Sequence, residues 1–558
     1  MERIKREIEE VILDCTGFDQ KLVSRAVLRC RNTNNGDFIV CFSQLTRDAS
    51  VINDVYRIIQ KHPVNIIKKA YILGQLLYIH VETREIAKEI LLDILTKKEK
   101  YGDSSVGEGE TVLVEFSSPN IAKEFHAGHL RTTIIGNYVK NIHKKMGYNT
   151  VGINYLGDWG KQFGFLGIGY KKYGDPKEME ADPIRHLHNV YVQICREAEE
   201  NPEIGEKAKE FFRKMENGDK ECLDLWRWFR EISVKKYEEA YAKMNIFFDV
   251  YSGESFYGDV DVEAIKKKPY VLNDKKDNSY YVEFKNLPKT VLIKSNGSTL
   301  YLTRDIDAAK DRMKKYNPCK SIYVVASQQD LHFKQLFRIL ELEGMDASKF
   351  LHVNFGMVQK MSTRKGTVVF LSDIISEVQQ VMLEKMKETG KGNNVEDMEK
   401  TSHILALSAV YIQDFRGQRN RSYEFDMEQN SSFKGATGPY IQYTLCRVSS
   451  IARNSQYQVG DVGELNFAHL KEDKCYELVF LLARYPYVLE DSFKDYEPCT
   501  IVNYIFQVCQ LLNHVFKIVW VAKEEEEVAR ARLAMYEAVR YVLADALKIL
   551  GLIPLERM

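Results

Sequence analysis

The segment between residues 111 and 147 has the pattern of a strand, a sharp turn and a helix. Residues 111–116 are a short run of β-branched and aromatic side chains, which is typical of a strand. Apolar residues then recur at helical spacing, and Gly147 ends this pattern; they are Leu130, Ile134, Ile135, Tyr138 and Ile142. A strand that leads directly into a helix is the basic unit of an α/β fold.

The turn of this unit contains the sequence His126-Ala127-Gly128-His129. The N-terminus of a helix exposes unpaired backbone N–H groups and the positive end of the helix dipole, so it favours an anion such as a polyphosphate. The two imidazoles are three residues apart and can face the same ligand, while Gly128 lets a flat group approach the backbone. The alternative is that the histidines only cap the helix.

Further strand-like runs alternate with helical patterns across the middle of the chain, as in a parallel sheet with crossover helices. The predicted strands are residues 111–116, 150–155, 321–326, 352–357 and 367–371. They fall into two groups, separated by a charged and initially helical segment at about 170–288. We therefore predict a doubly wound, Rossmann-like domain that is divided by an insertion.

Two polar, glycine-containing stretches, residues 97–110 and 387–400, predict domain boundaries. After the second stretch the pattern is helical, with helices predicted at 402–414, 440–453, 476–489, 501–521 and 524–550. The predicted division is an α+β N-terminal domain over residues 1–105, a Rossmann-like α/β catalytic domain over 106–386, and an all-α domain over 387–558.

The composition is that of a globular protein with reduced thiols. The 558 residues include 79 basic and 79 acidic side chains, so any nucleic acid must be bound by local patches. Ten cysteines occur without a CxxC pair, which argues against a zinc ribbon or a disulfide framework. We expect no membrane span, and the charged N-terminus lacks the features of a secretory signal, so a cytoplasmic location is expected.

A second candidate phosphate element lies in residues 356–367, between two predicted strands. Its basic and hydroxyl side chains suit a triphosphate or pyrophosphate. The relevant residues are Lys360, Met361, Ser362, Thr363, Arg364 and Lys365. Taken alone, the loop is better explained as an exposed basic turn, and its occurrence in the same domain as the histidine turn favours the phosphate role.

With both elements in view, the chain resembles the class I arginyl-tRNA synthetases. Residues 126–129 match the HIGH signature of that family, and residues 360–364 stand in the place of its KMSKS loop. The resemblance covers essentially the whole chain through further ordered motifs at residues 154–164, 301–305, 328–333, 438–443 and 545–552.

The resemblance implies an enzyme that joins arginine to ATP and then transfers it to the terminal ribose of tRNA(Arg). It assigns arginine binding to Ser118, Pro119, Asn120, His129, Asn154, Tyr301, Asp305 and Gln329. It assigns ATP binding to His126, Gly128, His129, Lys360, Met361, Ser362, Thr363, Arg364 and Lys365. Mg²⁺ is expected with ATP, held by phosphate oxygens and water, so no protein metal site is predicted. A monomer is expected.

The chemistry of Asp305 agrees with its assigned role. A carboxylate accepts a guanidinium in a charge-assisted fork, and Tyr301, four residues earlier, can pack against the planar group. Asn120 and Gln329 offer neutral amides suited to the ammonium and carboxylate ends of arginine. The alternatives are that Asp305 is the N-cap of a helix over residues 306–315 and that Gln329 is a surface turn residue.

The basic loop departs from the family pattern, because Thr363 stands where KMSKS has its second lysine. Family members with an altered loop use a lysine just before HIGH, which here is Lys123. Our hypothesis is that Lys123 and Lys365 share the phosphate charge, so the predicted catalytic residues are Lys123, His126, His129 and Lys365.

Clustered arginines and aromatics predict an RNA contact near residues 414–423 and on the helix that follows. The candidates are Arg416, Arg419, Arg421, Arg447 and Arg453. A solvated helix face also contains such charges. By resemblance, the C-terminal helical domain binds the anticodon and the N-terminal domain contacts the elbow of the tRNA.

Three rival functions remain open at this point. An adenylate-forming enzyme without tRNA would lack the large helical C-terminal domain. A class I synthetase for lysine or cysteine is nearer, although cysteine selection normally uses a zinc-binding Cys/His set. A synthetase-derived RNA-binding scaffold would have no chemical need for His126, Gly128, His129 and Asp305.

Overall fold

The computed structural model describes residues 2–30, 35–61, 67–121, 128–359, 371–390 and 395–558. Its residues form two compact units, each assembled from separate parts of the chain. The first unit contains Met1–Gly102, Thr444–Val488 and Tyr504–Asp545. The second contains Asp103–Tyr443, Leu489–Asn503 and Ala546–Met558.

The N-terminal part of the first unit is α+β, as predicted. Its strands are β1 (Val27–Arg29), β2 (Phe38–Cys41), β3 (Ile67–Leu73) and β4 (Leu76–Val81), and its helices are α1 (Glu2–Thr16), α2 (Gln20–Ala26), α3 (Ala49–Lys61) and α4 (Thr83–Lys97). The strands form an antiparallel sheet in the order β1-β2-β4-β3. Strands β3 and β4 form a hairpin whose turn includes Gly74, at a φ of 64° that favours glycine.

The second unit contains a parallel five-stranded sheet. Its five strands are β5 (Thr111–Glu115), β6 (Asn149–Leu156), β7 (Val250–Gly253), β11 (Lys320–Ala326) and β12 (Phe350–Phe355). The strands between β7 and β11 in the chain, which form a separate sheet, are β8 (Leu272–Asn273), β9 (Tyr280–Phe284) and β10 (Leu287–Ile293). The order β12-β11-β5-β6-β7 reverses direction between β5 and β11. Ligands of such sheets bind at the carboxyl ends of the strands beside this reversal.

Helices accompany this sheet and its insertion. They are α5 (Gly128–Lys145), α6 (Lys161–Tyr173), α7 (Pro176–Ala181), α8 (Pro183–Glu200), α9 (Pro202–Glu216), α10 (Lys220–Lys243), α11 (Val262–Lys266), α12 (Tyr301–Tyr316) and α13 (Asp330–Leu342). Three helices of the insertion, α7, α8 and α9, each begin with an Asp or Asn cap followed by proline, which has no N–H to leave unpaired. The insertion ends in an antiparallel sheet of order β10-β9-β8.

The C-terminal part is helical, apart from a short parallel pairing of β13 (Val358–Gln359) with β14 (Tyr423–Glu424). Its helices are α14 (Leu371–Thr389), α15 (Met398–Phe415), α16 (Met427–Asn430), α17 (Gly438–Asn454), α18 (Asp473–Ala483), α19 (Tyr485–Asp495), α20 (Pro498–Ile518) and α21 (Glu526–Ile549). The predicted fold class is confirmed. Across the described ranges, no helix combines the length and the apolar character needed to cross a membrane.

Several predicted boundaries were wrong in detail. The helix predicted over residues 476–489 is two helices that divide at Arg484, since Pro486 in the first turn of the second helix cannot continue the hydrogen bonding of the first. The strand predicted at 352–357 lies at Phe350–Phe355. Of the strand predicted at 367–371, only Leu371 is described, and it begins α14. The three-domain division by residue number stays a prediction.

Candidate active site

The chain turns sharply where β5 ends, at the reversal point of the parallel sheet. Ser117 and Ser118 have φ values of 69° and 48°, a left-handed conformation that is rare outside glycine and is often found at functional sites. The Ser117 hydroxyl lies 2.8 Å from the Thr133 hydroxyl and 2.6 Å from the Tyr241 hydroxyl. The Ser118 hydroxyl accepts a hydrogen bond of 3.2 Å from the Tyr155 N–H. These bonds hold the turn in its strained shape.

Asn120 continues this turn and pairs with Gly157, which follows β6. The Gly157 N–H donates to the Pro119 carbonyl at 3.1 Å, and Ile121 donates to the Gly157 carbonyl at 3.3 Å. A Cβ atom at Gly157 would overlap the side-chain oxygen of Asn120. Only glycine therefore fits at position 157 without moving the Asn120 amide.

Helix α5 begins at Gly128, with His129 half-buried in its first turn. The predicted placement of this glycine and histidine at a helix start is thus observed. Lys123 and His126 lie outside the described residues, and so do Lys360, Met361, Ser362, Thr363, Arg364 and Lys365.

Charged side chains are concentrated at the carboxyl ends of β5 and β6. Glu115, the last residue of β5, is 8% exposed and pairs with Arg312 of α12. Glu254, which follows β7, pairs with Arg304 of α12.

Asp158, which follows β6, is fully buried. The Arg230 Nε donates a 2.7 Å hydrogen bond to its carboxylate. The Ser255 N–H donates to the same carboxylate at 2.8 Å, and the Ser255 hydroxyl donates at 2.9 Å. Glu115, Glu254 and Asp158 each have an arginine partner within the chain.

Asp305 is the fourth carboxylate of this group, and its partner is different. Its Oδ2 lies 2.8 Å from the Nε2 of His332, and no arginine pairs with it among the described residues. Helix α12 begins at Tyr301 with Leu300 as its N-cap, so the interpretation of Asp305 as a helix cap was wrong. Asp305 is an interior residue of α12 on the same face as Arg312, seven positions later.

The carboxylates influence one another's protonation. Burial raises the pKa of Glu254 to about 7; the Arg304 charge opposes this shift, and the Asp305 and Asp158 charges add to it. Burial also raises the pKa of Glu115, with Arg312 lowering it and Asp305 raising it. Burial is thus the largest cause of both shifts, and the four carboxylates share three arginines, which leaves Asp305 without an arginine among the described residues.

The other residues assigned to arginine differ in accessibility. Tyr301 is 65% exposed, and its ring lies 5.8 Å from the Arg304 guanidinium. Gln329 is exposed at the end of a short 3-10 turn directly before α13. Asn154 is completely buried within β6, and Pro119 is buried. The folded chain thus brings Ser118, Asn120, Tyr301 and Asp305 to one end of the sheet and encloses the Asn154 side chain.

Comparison with known proteins shows the family to which this fold belongs. Residues 90–427 match the family model of the catalytic domain of class I arginine tRNA synthetases, and residues 441–558 match the DALR anticodon-binding domain. The cytoplasmic arginine–tRNA ligase of Saccharomyces cerevisiae is 41% identical over 575 aligned residues, which cover 100% of this chain and 94% of the relative. The chain belongs to the class I arginyl-tRNA synthetase family.

Two further relatives support membership of the synthetase family. The arginine–tRNA ligase of Encephalitozoon cuniculi is 43% identical, and the match covers 86% of this chain and 85% of the relative. The crystal structure of arginyl-tRNA synthetase from Plasmodium falciparum has a TM-score of 0.80 at 25% identity, covering 100% of this chain and 99% of that one.

Sequence reasoning missed Glu115, Glu254 and Asp158 of the synthetase cluster. A signal was present for Glu115, because it is the one charged residue in an otherwise apolar strand and stands at the strand's carboxyl end. Arg312 shares a helix face with Asp305, which also could be derived from the spacing. Nothing local points to Glu254, whose partner lies 50 positions away.

The arginines proposed to contact RNA in this synthetase have different surroundings. Arg416 and Arg421 are exposed, and so are Arg447 and Arg453 in the first unit. Arg419 is 18% exposed; it contacts Glu497 at 3.7 Å and donates to the Asn354 carbonyl and side-chain oxygens. Four of the five residues are thus exposed, although the Arg447 guanidinium lies 4.1 Å from the Phe516 ring centre, whereas Arg419 is engaged within the second unit.

Proposed function

We propose that this chain attaches arginine to tRNA(Arg) in two steps, through an arginyl-adenylate. Asp305 is the observation that supports arginine as the substrate. It is the one carboxylate of the four-membered cluster, among the described residues, that has no arginine partner. A substrate guanidinium supplies the missing fork of donors, while the Glu115 and Glu254 charges add to the attraction.

The remaining substrate contacts follow from the positions of the turn residues. Asn120 and Ser118 bind the ammonium end, and Gln329 and His129 lie toward the carboxylate. Tyr301 packs against the guanidinium plane. Asn154, which is buried within β6, supports the turn, and Pro119 is part of the turn itself.

In the first step, the ionised arginine carboxylate attacks the α-phosphate of ATP and pyrophosphate leaves. The protein needs no general base, so its contribution is positioning and stabilisation of the developing charge. We assign the phosphates to Gly128 and His129, at the start of α5, together with His126. The family resemblance adds Lys123 and the loop residues Lys360, Met361, Ser362, Thr363, Arg364 and Lys365 as further phosphate contacts.

Mg²⁺ accompanies ATP in this proposal. Within the part of the chain that the structure describes, no three His, Cys, Asp or Glu side chains are grouped as metal ligands. We assign the ion to phosphate oxygens and water, and it would supply neutralisation of the polyphosphate charge when bound.

In the second step, a hydroxyl of the terminal ribose of tRNA attacks the arginyl carbonyl and AMP leaves. The DALR domain over residues 441–558 binds the anticodon, with Arg447 and Arg453 as phosphate contacts. Arg416 and Arg421 contact the RNA from the second unit, and the N-terminal domain over residues 1–105 contacts the tRNA elbow. The protein acts as a monomer in the cytoplasm.

The decisive experiment is pyrophosphate exchange with each standard amino acid, with and without tRNA. We expect exchange with arginine alone, followed by attachment of arginine to tRNA(Arg). The arm with tRNA is essential, because this family frequently requires tRNA for activation. Exchange with another amino acid would contradict the specificity, and the absence of exchange in both arms would favour a non-catalytic scaffold.

The cluster also predicts a pH dependence of arginine binding. Because burial raises the pKa of Glu254 to about 7, this carboxyl loses its charge as the pH falls below neutrality. A bound arginine cation favours the ionised form, so the KM for arginine should rise by up to about 10-fold between pH 8 and pH 6. The measurement is pyrophosphate exchange at saturating ATP across this range.

Glu254→Gln is the matched variant for this pH dependence. It should show a raised KM for arginine that no longer changes between pH 6 and pH 8. A wild-type KM that is constant over the range, or an unchanged slope in Glu254→Gln, would contradict the assignment.

A further inference from the structure

Arg131 is a buried arginine in α5, two residues after His129. Only 1% of it is exposed. Its Nε lies 2.8 Å from Oδ2 of Asp414 in α15, and its Nη1 donates to the Gly356 carbonyl at 2.7 Å and to the Arg421 carbonyl at 2.9 Å. One guanidinium therefore joins the start of α5 to two other chain segments.

The surroundings of this guanidinium fix its position. It lies 5.8 Å from the Phe355 ring centre and 5.4 Å from that of Tyr423. Asp414 is 2% exposed, and burial raises its pKa while the Arg131 charge and the Tyr423 hydroxyl lower it. Removing one partner of so deeply buried a pair would leave the other charge uncompensated, so the two side chains are expected to stay together.

Gly356 begins the segment that leads into the basic loop, and we call residues 356–359 the stem. The Gly356 N–H donates to the Arg419 carbonyl at 2.9 Å, and the Met357 N–H donates to the Ser422 hydroxyl at 3.0 Å. A Cβ atom at Gly356 would lie 2.7 Å from the backbone of Arg421 and Ser422. The stem is thus packed directly against the backbone of residues 419–422.

The stem then pairs with a second short strand. Val358–Gln359 runs parallel to Tyr423–Glu424, with N–H bonds of 3.2 Å from Tyr423 to the Met357 carbonyl and from Phe425 to the Gln359 carbonyl. The stem ends at Gln359, immediately before Lys360. Arg131 contacts the first residue of the stem and also the segment to which the stem is hydrogen-bonded.

We propose that Arg131 is a positioning residue that fixes the distance between the first turn of α5 and the stem of the basic loop. Its contacts keep the start of α5 and the stem, from which the chain continues into the basic loop, at one separation, and we assign that separation to the requirements of a bound triphosphate. Lysine at this position keeps the charge opposite Asp414 but cannot bond to Asp414 and both carbonyl oxygens together. This inference rests on the proposed function, because it assumes that both elements bind ATP.

The test is Arg131→Lys, measured by arginine-dependent pyrophosphate exchange at saturating tRNA. We expect kcat to fall about 30-fold and the KM for ATP to rise about 10-fold, since displacement of a reacting group by about 1 Å costs up to about 100-fold in rate. The KM for arginine should stay within about two-fold. Hydrogen exchange at the Tyr423 and Phe425 amides should accelerate, which tests the link without reference to activity.

Tyr138→Phe is the matched control. Tyr138 is equally buried on the same helix, but its hydroxyl bonds to Ser492 instead of the stem. It should lower the thermal unfolding midpoint while leaving the KM for ATP and the exchange at Tyr423 and Phe425 unchanged. The same change in KM for ATP in Tyr138→Phe would overturn the inference.

If Arg131→Lys does not fold, Gly356→Ala decides the question, because its added methyl displaces the stem without altering a charge. In this variant too, the KM for ATP should rise while the KM for arginine stays within about two-fold. An ATP KM within two-fold of wild type in the folded variant, with unchanged amide exchange, would overturn the inference. A wild-type protein inactive with arginine would instead refute the proposed function, and the amide exchange would still test the link.

Discussion

Asp305→Asn should lower kcat/KM for arginine by about 30- to 4,000-fold in pyrophosphate exchange. Removing the charge from one partner of a buried, hydrogen-bonded pair costs about 2–5 kcal/mol, and each 1.4 kcal/mol is a factor of ten. Asparagine keeps the shape of the side chain and can still bond to the Nε2 of His332. The KM for ATP should stay within about two-fold, because the proposed phosphate contacts do not include Asp305.

Asp311→Asn is the control for this prediction. Asp311 lies on the same helix, is exposed, and accepts a 2.9 Å hydrogen bond from the Tyr257 hydroxyl. The same chemical change there should leave kcat/KM for arginine within about three-fold, since surface substitutions have small effects. An Asp305→Asn variant that loses less than about five-fold would show that another carboxylate receives the guanidinium.

Lys123→Ala should lower the rate of amino-acid activation by about 100-fold, with little change in the KM for arginine. The physical reason is that Thr363 stands where the family's loop has its second lysine, so another cation is needed. Removal of one donor to a developing charge typically lowers kcat by about 100- to 1,000-fold. If Lys365 shares the charge, Lys365→Ala is also impaired and the double variant is worse than either. The measurement is kcat for pyrophosphate exchange at saturating arginine and tRNA.

Lys144→Ala controls for the loss of a lysine near the same helix. Lys144 is an exposed residue in the last turn of α5, far along the helix from Gly128. It should be as active as the wild type. Intact activation in Lys123→Ala would refute the assignment of this lysine, and intact activation in the double variant would refute both.

The sequence predicted which segments form helices and strands better than it predicted the residues at which they begin and end. The alternation of strands and helices gave the parallel sheet, because period-2 and period-3.6 patterns are local properties of the chain. The break at Arg484 was missed because the apolar pattern continues across it, although Pro486 was a readable signal. Arg419 lies in a segment whose arginines and aromatics predicted an RNA contact. Its ion pair with Glu497, 78 positions away, could not be predicted from the sequence.

By itself, the sequence determined that a strand turns into a helix at Gly128 and that His129 lies in its first turn, because both depend on neighbouring residues. It also supplied the motifs that connect the chain to its family. Asp305 was already the sequence-based candidate for the arginine side chain, and only the tertiary structure showed which of its neighbouring carboxylates pair with an arginine. Glu115 and Arg312 are 197 positions apart, and Asp158 and Arg230 are 72 apart. Their pairing leaves Asp305 without an arginine among the described residues, and such a distribution of charges exists only once the chain has folded.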